Sequence, residues 1–210
     1  ELPLADRLLE IRTGARLLVD QLLIQGVNHA FTVPGESFLP VLDALYDSRE
    51  MVKLIVNRHE SGATFMAEAY AKLTGQPGVA FVTRGPGATN AAIGVHVAHQ
   101  DSSPLILFIG QVGNDFVERE AFQEIDYRRM FGQMTKWVAQ IDRADRVPEF
   151  VARAFQVATS GRAGPVVLAL PEDMLTDTAE VPDAPPYTPL PIAPDDGALR
   201  QFHALLSEAK

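Results

Sequence analysis

An α/β fold, a doubly wound parallel sheet with helices on both faces, is what this sequence predicts. Three observations lead there. Short apolar runs at 53–56, 79–82, 105–109 and 166–170 alternate with longer segments of helical spacing. The last three of those runs are almost unbroken in apolar character, as strands covered on both faces must be. Glycine-bearing turns, Pro34-Gly35 and Gly85-Pro86-Gly87, follow two of the strands, and open parallel sheets hold ligands at the carboxyl ends of their strands.

Each element has its own signal. Thr13 caps a helix over 14–25, and Gly26 ends it. Residues 30–33 form a short strand before the Pro34-Gly35 turn, and 38–45 carry apolar residues at helical spacing. Strand 53–56, a small-residue helix over 61–73 and strand 79–82 come next. A helix over 88–99 and strand 105–109 follow. The interval 113–132 is irregular, with one short helix at 126–130. Residues 137–141 read as a strand, 147–159 as a helix and 166–170 as the last strand. Strands and helices in this alternation imply a parallel sheet.

Composition bounds the function. At 210 residues, with 47% hydrophobic and 21% charged content, the chain can bury a sizeable core in one domain. A net charge of −9 argues against a nucleic-acid surface, because no basic stripe is available to neutralise phosphates. The absence of cysteine excludes disulfides and thiolate metal sites. Glu1-Leu2-Pro3-Leu4-Ala5-Asp6 has no basic region followed by an apolar run, and no stretch approaches a membrane span. A cytoplasmic location is expected, without membrane or nucleic-acid partners. Composition changes after Thr178, where Pro182, Pro185, Pro186, Pro189, Pro191 and Pro194 crowd together. The expected organisation is one domain over 1–180, a proline-rich linker over 181–197 and the start of a truncated second domain over 198–210.

The chemistry sits after the strands. Asn57-Arg58-His59-Glu60 follows strand 53–56, and Arg84-Gly85-Pro86-Gly87-Ala88-Thr89-Asn90 follows strand 79–82. By itself Glu60 is an acid in the first turn of a helix, where the macrodipole favours it. His59 reads as a partly buried histidine at the sheet edge, and neighbours on a helix point in different directions, so it does not pair with Glu60. The glycine turn invites a dinucleotide fingerprint, but Asn90 stands where the last glycine belongs, and strand 105–109 ends without a ribose-binding acid. His96 and His99 lie three apart on one predicted helix, yet zinc needs a third protein ligand. No metal site is expected in this chain.

Taken together, these motifs resemble the pyrimidine-binding domain of thiamine diphosphate enzymes, most closely the acetolactate synthase-like group. The resemblance covers roughly residues 12–175. It implies an enzyme that makes or breaks a carbon–carbon bond next to a carbonyl, with an acetolactate synthase-type carboligase leading. A 2-keto acid decarboxylase, a benzaldehyde lyase-like enzyme, a flavin-linked oxidase and a non-catalytic dimerisation module are the alternatives. Substrates would be small 2-keto acids or aldehydes.

The resemblance also assigns roles. Glu60 would share a proton with N1′ of the cofactor's aminopyrimidine, and a dry setting among Ala63 and Thr64 would favour that. Val33, Pro34 and Gly35 would flank the cofactor, Pro86 and Asn90 would line its ring, and Gln123 would approach from the side. Glu36, Gln111, Phe122 and Lys136 would border the substrate channel. Phe122 as core and Lys136 as a solvated strand end are the plain alternatives. The family has an aromatic residue and a second glycine where Val33 and Glu36 stand, so Glu36 would disfavour anionic 2-keto acids unless paired or turned away. Arg162 matches an arginine that touches flavin in the flavin-containing members, so FAD is possible in the full-length protein; a surface charge is the alternative. The family's magnesium is held by a Gly-Asp-Gly motif in another domain, and Asp195-Asp196-Gly197 is a near miss. A homodimer or dimer of dimers is implied, with the small-residue helices at the interface.

Overall fold

The computed structural model describes residues 10–190 and 193–209. The first nine residues, which carry the expected absence of a leader and the start of the domain, lie outside the described residues, as do Pro191, Ile192 and Lys210. Among the described residues, six strands form one parallel sheet. They are β2 (His29–Thr32), β3 (Lys53–Val56), β4 (Gly78–Val82), β5 (Leu105–Gln111), β6 (Trp137–Gln140) and β7 (Val166–Pro171). Their order is β3-β2-β4-β5-β7-β6.

Alternation along each strand sends side chains to two separate cores. On one side Val79, Phe81, Ile106, Phe108, Val166 and Leu168 meet α1 (Gly14–Ile24), α2 (Leu39–Asp47) and α6 (Val147–Thr159). Phe81 stacks between Phe38 and Phe108 there, with ring centroids 6.2 and 4.9 Å away. On the other side Ala80, Val82, Leu105, Leu107 and Ile109 meet α3 (Glu60–Thr74), α4 (Gly85–Asp101) and α5 (Tyr127–Phe131). The doubly wound sheet is therefore what the chain builds.

Caps follow the local sequence. Thr13 accepts the Arg16 N–H at 3.1 Å and starts α1. His59 caps α3 through Nδ1, which accepts the Ser61 N–H at 3.2 Å; it is exposed, not packed at the sheet edge. Gly75 ends α3 at φ 74°, a left-handed position that glycine adopts without strain. Helix α4 begins at Gly85, three residues before the spacing predicted, because Pro86 falls in its first turn, where no N–H partner is lost.

Two features come only from long-range contacts. Strand β1 (Ile11–Thr13) pairs antiparallel with β8 (Thr178–Glu180), and α7 (Glu172–Thr176) follows β7 directly. The proline-rich segment is extended but tied down: Gln21 bonds both backbone groups of Ala184 at 2.9 and 3.0 Å, and Gln25 accepts the Tyr187 N–H at 2.8 Å. Arg12 adds an ion pair to Asp183 at 2.8 Å. Helix α8 (Asp196–Glu208) buries none of its residues against the rest, and Asp195 is its cap, accepting from Gly197 and Ala198.

Candidate functional site

The connections diverge at β2. The chain runs outward from β2 to β3, then crosses back to β4 and continues to β5 on the far side. A crevice opens at such a switch point, at the carboxyl ends of the strands. Its walls touch. A Cβ on Gly35 would stand 2.5 Å from Thr83 Cβ, so only glycine lets the turn after β2 lie against the end of β4. Ser37 Oγ and Thr83 Oγ1 share a hydrogen bond of 3.0 Å across it.

Glu60 enters this crevice from the turn after β3. The Asn57 N–H donates to the Thr32 carbonyl at 2.7 Å, and its side-chain amide to the Ile55 carbonyl at 3.1 Å, which closes the turn. Glu60 is then the first residue of α3, at the positive end of the helix dipole. Its carboxylate is gripped from the next helix: Asn90 Nδ2 donates to Glu60 Oε2 at 2.9 Å. The other oxygen faces α4, since a Cβ on Gly87 would come within 3.6 Å of Oε1. Ala63 and Thr64 are buried as expected, but Glu60 itself is half-open to the crevice. Close crossing of the two helices makes this reach possible. Gly94 on α4 lies where a Cβ would be 2.1 Å from Thr64 Oγ1.

An open depression of about 450 Å³ adjoins Asn90, lined also by Gly85, Pro86, Thr89 and Gln123. Gln123 reaches it through a bent loop: its φ is 66°, and its carbonyl accepts the Gly85 N–H at 3.0 Å. Glu118 and Glu120 also have positive φ, so three non-glycine residues hold this conformation within six positions. Phe122, in the same loop, is 74% exposed, which removes the core alternative.

Arg84 was not singled out by sequence. It is 9% exposed at its side chain and bridges two loops, with Nη2 3.3 Å from Glu36 and Nη1 2.8 Å from Glu172. Glu36 is thus paired, one of the two conditions under which it would be neutralised. Close by, the buried Tyr127 hydroxyl donates to the Gly110 carbonyl at 3.4 Å, and burial pushes its pKa well above the usual tyrosine value.

Three expected site residues stand elsewhere. Gln111 is buried at the end of β5 and its amide is used internally: Nε2 donates to the Ile125 carbonyl at 2.9 Å and Oε1 accepts the Val112 N–H at 3.0 Å. It shapes the loop and does not line a channel. Lys136 precedes β6 and so lies on the amino edge of the sheet, opposite the crevice. Its ammonium donates to the Val157 and Ser160 carbonyls, capping α6, and desolvation lowers its pKa. A larger groove of about 850 Å³ between α6 and residues 185–188 includes Lys136, but no residue of the crevice. Arg162 lies on that amino edge too. Its Nε donates to Ser102 Oγ at 2.8 Å and Nη2 to the His99 and Gln100 carbonyls, closing the end of α4. The placement of Lys136 and Arg162 was legible in principle, because each precedes its strand. Among the described residues, no three His, Asp or Glu side chains stand together as a metal site, and no helix is long and apolar enough to cross a membrane.

Residues 12–130 match the family model described as "Thiamine pyrophosphate enzyme, N-terminal TPP binding domain". The chain is 43% identical over 163 residues to the mitochondrial acetolactate synthase catalytic subunit of Aspergillus candidus, covering 78% of this chain and 23% of that protein. It is 43% identical over 161 residues to a probable acetolactate synthase large subunit of Methanocaldococcus jannaschii, covering 77% and 27%. Acetolactate synthase isozyme 3 large subunit of Escherichia coli is 38% identical over 174 residues, covering 83% and 30%. The chain thus spans less than a third of the length of these relatives.

Proposed function

Because this chain belongs to the thiamine pyrophosphate enzymes, as their N-terminal TPP-binding domain, we propose that the whole protein is a carboligase of the acetolactate synthase type. Its substrates are small carbonyl compounds, 2-keto acids or aldehydes. The observation that carries the reading is the Asn90–Glu60 hydrogen bond of 2.9 Å at the mouth of the crevice.

The residues present fit one half of the cofactor. The half-open Glu60 has an accessible carboxylate, and the 450 Å³ depression beside Asn90 offers room for a small ring. When bound, thiamine diphosphate supplies the carbanion chemistry, and the protein supplies tautomer and geometry. Glu60 would hold the aminopyrimidine at N1′ and share a proton there, the group supplying its own 4′-nitrogen as the base. Asn90 holds the carboxylate by one oxygen and leaves the other for that proton. Val33, Pro34 and Gly35 would flank the ring from the turn after β2, Pro86 from α4, and Gln123 from the bent loop. The diphosphate and its magnesium would be held by another domain of the whole protein, and residues from about 198 would begin a separate central domain. FAD stays a possible further cofactor of the full-length protein; Arg162, which would touch it, is exposed on the far edge of the sheet with its Nε and Nη2 donors used on α4.

Two copies associate about a two-fold axis. Phe65 and Met66 on α3 and Ile93 on α4 are exposed beside the Glu60–Asn90 pair, an apolar face suited to an isologous contact.

Glu60→Gln tests the core of this reading. In the full-length enzyme it slows C2 proton exchange of bound cofactor by about 10²–10⁴-fold, the scale of general acid–base catalysis. An unchanged exchange rate measured by NMR removes Glu60 from the mechanism.

A further inference from the structure

We propose that Glu124 is a positioning residue of the crevice. Its carboxylate holds the 115–123 loop in a left-handed form that seats the Gln123 carbonyl on the start of α4. The role toward the ring rests on the cofactor reading above.

The loop is anchored at both ends. Before it, the Asn114 N–H donates to Asp173 Oδ2 at 3.0 Å. After it, the Ile125 carbonyl accepts from Gln111 Nε2 at 2.9 Å. Between these anchors residues 115–120 are all exposed, and so is Phe122, so apolar burial does not hold the loop. Its backbone is costly, because a side chain at positive φ crowds the following carbonyl, and Glu118, Glu120 and Gln123 all adopt it. The Glu124 carboxylate offsets that cost. Oε1 accepts the Glu118 N–H at 2.8 Å and Oε2 the Ala121 N–H at 3.4 Å. Hydrogen bonds to an ionised acceptor are stronger than neutral ones. The Glu124 N–H closes the same turn, donating to the Ala121 carbonyl at 3.0 Å.

The loop in turn completes the crevice. Gly85 opens α4, and its N–H is among those that a helix start leaves without an internal partner. The Gln123 carbonyl supplies the partner at 3.0 Å. A Cβ on Gly85 would stand 2.9 Å from that carbonyl oxygen, so the two backbones touch. Glu124 itself lines the 450 Å³ depression together with Gly85, Pro86, Asn90 and Gln123. Both of its oxygens are engaged by the loop, so it serves the depression as a brace for one wall. Without that brace Gln123 leaves α4, and the ring loses a side of its seat. The Asn90–Glu60 bond joins α3 to α4 and does not pass through the loop. Cofactor capture therefore depends on Glu124, and proton sharing at Glu60 does not.

Glu124→Gln separates these effects. The amide keeps the shape of the acid, but it has one acceptor oxygen and turns its own N–H groups toward the second backbone donor. Hydrogen exchange followed by mass spectrometry on the full-length protein without cofactor is the first readout. Exchange over 116–122 speeds by about tenfold, the scale of one lost bond to a charged group. Exchange over 83–88 speeds with it, because the Gly85 N–H depends on Gln123. If 83–88 stays as protected as in wild type, Glu124 serves its own loop alone and the proposal is overturned. Calorimetry with thiamine diphosphate at saturating magnesium is the second readout. Affinity falls about tenfold, while C2 proton exchange of the bound cofactor at saturation is unchanged. Slower C2 exchange at unchanged affinity would give Glu124 a direct part in the chemistry and overturn the proposal. Glu120→Gly, added to Glu124→Gln, removes one left-handed side chain and recovers about fivefold in affinity. No recovery would mean that the Glu124 charge acts on the ring itself, which also overturns the proposal. Wild-type full-length protein that binds no thiamine diphosphate overturns the cofactor reading, and with it the role toward the ring; the exchange readout, made without cofactor, tells that failure from the others.

Discussion

Gly94→Ala sets two physical effects against each other at the crossing of α3 and α4. Helix propensity favours the substitution, since alanine is about 0.8–1.0 kcal/mol better than glycine inside a helix. Packing opposes it. The new Cβ would lie 2.1 Å from Thr64 Oγ1, 2.5 Å from Thr64 Cβ and 3.1 Å from the Thr64 backbone carbon. A rotamer change moves Oγ1 and Cγ2 but leaves Thr64 Cβ and the backbone in place, so the helices must separate. Overpacking of this kind costs about 1–3 kcal/mol. Separation also breaks the reach of Thr64 Oγ1 to the Ala91 carbonyl, 3.2 Å away, a bond contributing about 0.5–1.5 kcal/mol. The expected net loss is about 1–3 kcal/mol. In urea this lowers the midpoint by roughly 1 M at an m-value of about 1–3 kcal/mol/M. Far-ultraviolet circular dichroism follows the transition, with fluorescence of Trp137, the single tryptophan, as the second probe. Moving the glycine across the crossing, in the pair Thr64→Gly with Gly94→Ala, restores room, and the cycle should show coupling of about 0.5–3 kcal/mol. A Gly94→Ala protein as stable as wild type, or more so, would mean that propensity wins and that the close crossing does not hold the two helices. The functional consequence follows from the same contact. Glu60 opens α3 and Asn90 lies one turn before Gly94, so separated helices also lengthen the 2.9 Å bond between them.

Tyr127→Phe should flatten the alkaline limb of stability. Burial raises the Tyr127 pKa above its ordinary 10.0, so the folded state keeps a proton that the unfolded chain releases. The stability it contributes is full below about pH 10 and declines as pH rises beyond it; Tm measured across that range should fall less steeply in the variant, and parallel curves would refute the assignment. The isolated chain should form the two-fold dimer yet bind thiamine diphosphate with magnesium no tighter than about 1 mM, near −4 kcal/mol. It holds the pyrimidine side only, and its net charge of −9 repels an anionic cofactor. Micromolar affinity by calorimetry, or sedimentation as monomer at high micromolar concentration, would contradict these two expectations respectively.

The sequence alone determined whatever depends on neighbours within a few turns of chain. Unbroken apolar runs at 79–82, 105–109 and 166–170 specify strands buried on both faces, because each residue's environment is decided by period and hydrophobicity. Thr13 and Gly26 act at the two ends of α1 for local reasons, the one because its hydroxyl accepts a first-turn N–H and the other because it lacks a Cβ and adopts a positive φ. The motif residues Glu60, Pro86 and Asn90 could be picked out for the same reason, since the turns that carry them are local. Even the edge on which Lys136 lies was readable, because a residue that precedes a parallel strand stands away from the carboxyl end. Tertiary structure alone decided which side chains meet. Gln111 resembles a channel residue in sequence, yet it turns inward because the Ile125 carbonyl, fourteen positions on, needs a donor. The partners of Arg84 follow β2 and β7, and β5 lies between β4 and β7 in the sheet. Their meeting depends on strand order, and strand order is chosen by packing across the whole core. No pattern in the residues around Arg84 carries that choice, so the charge at the mouth of the crevice became visible only in the fold.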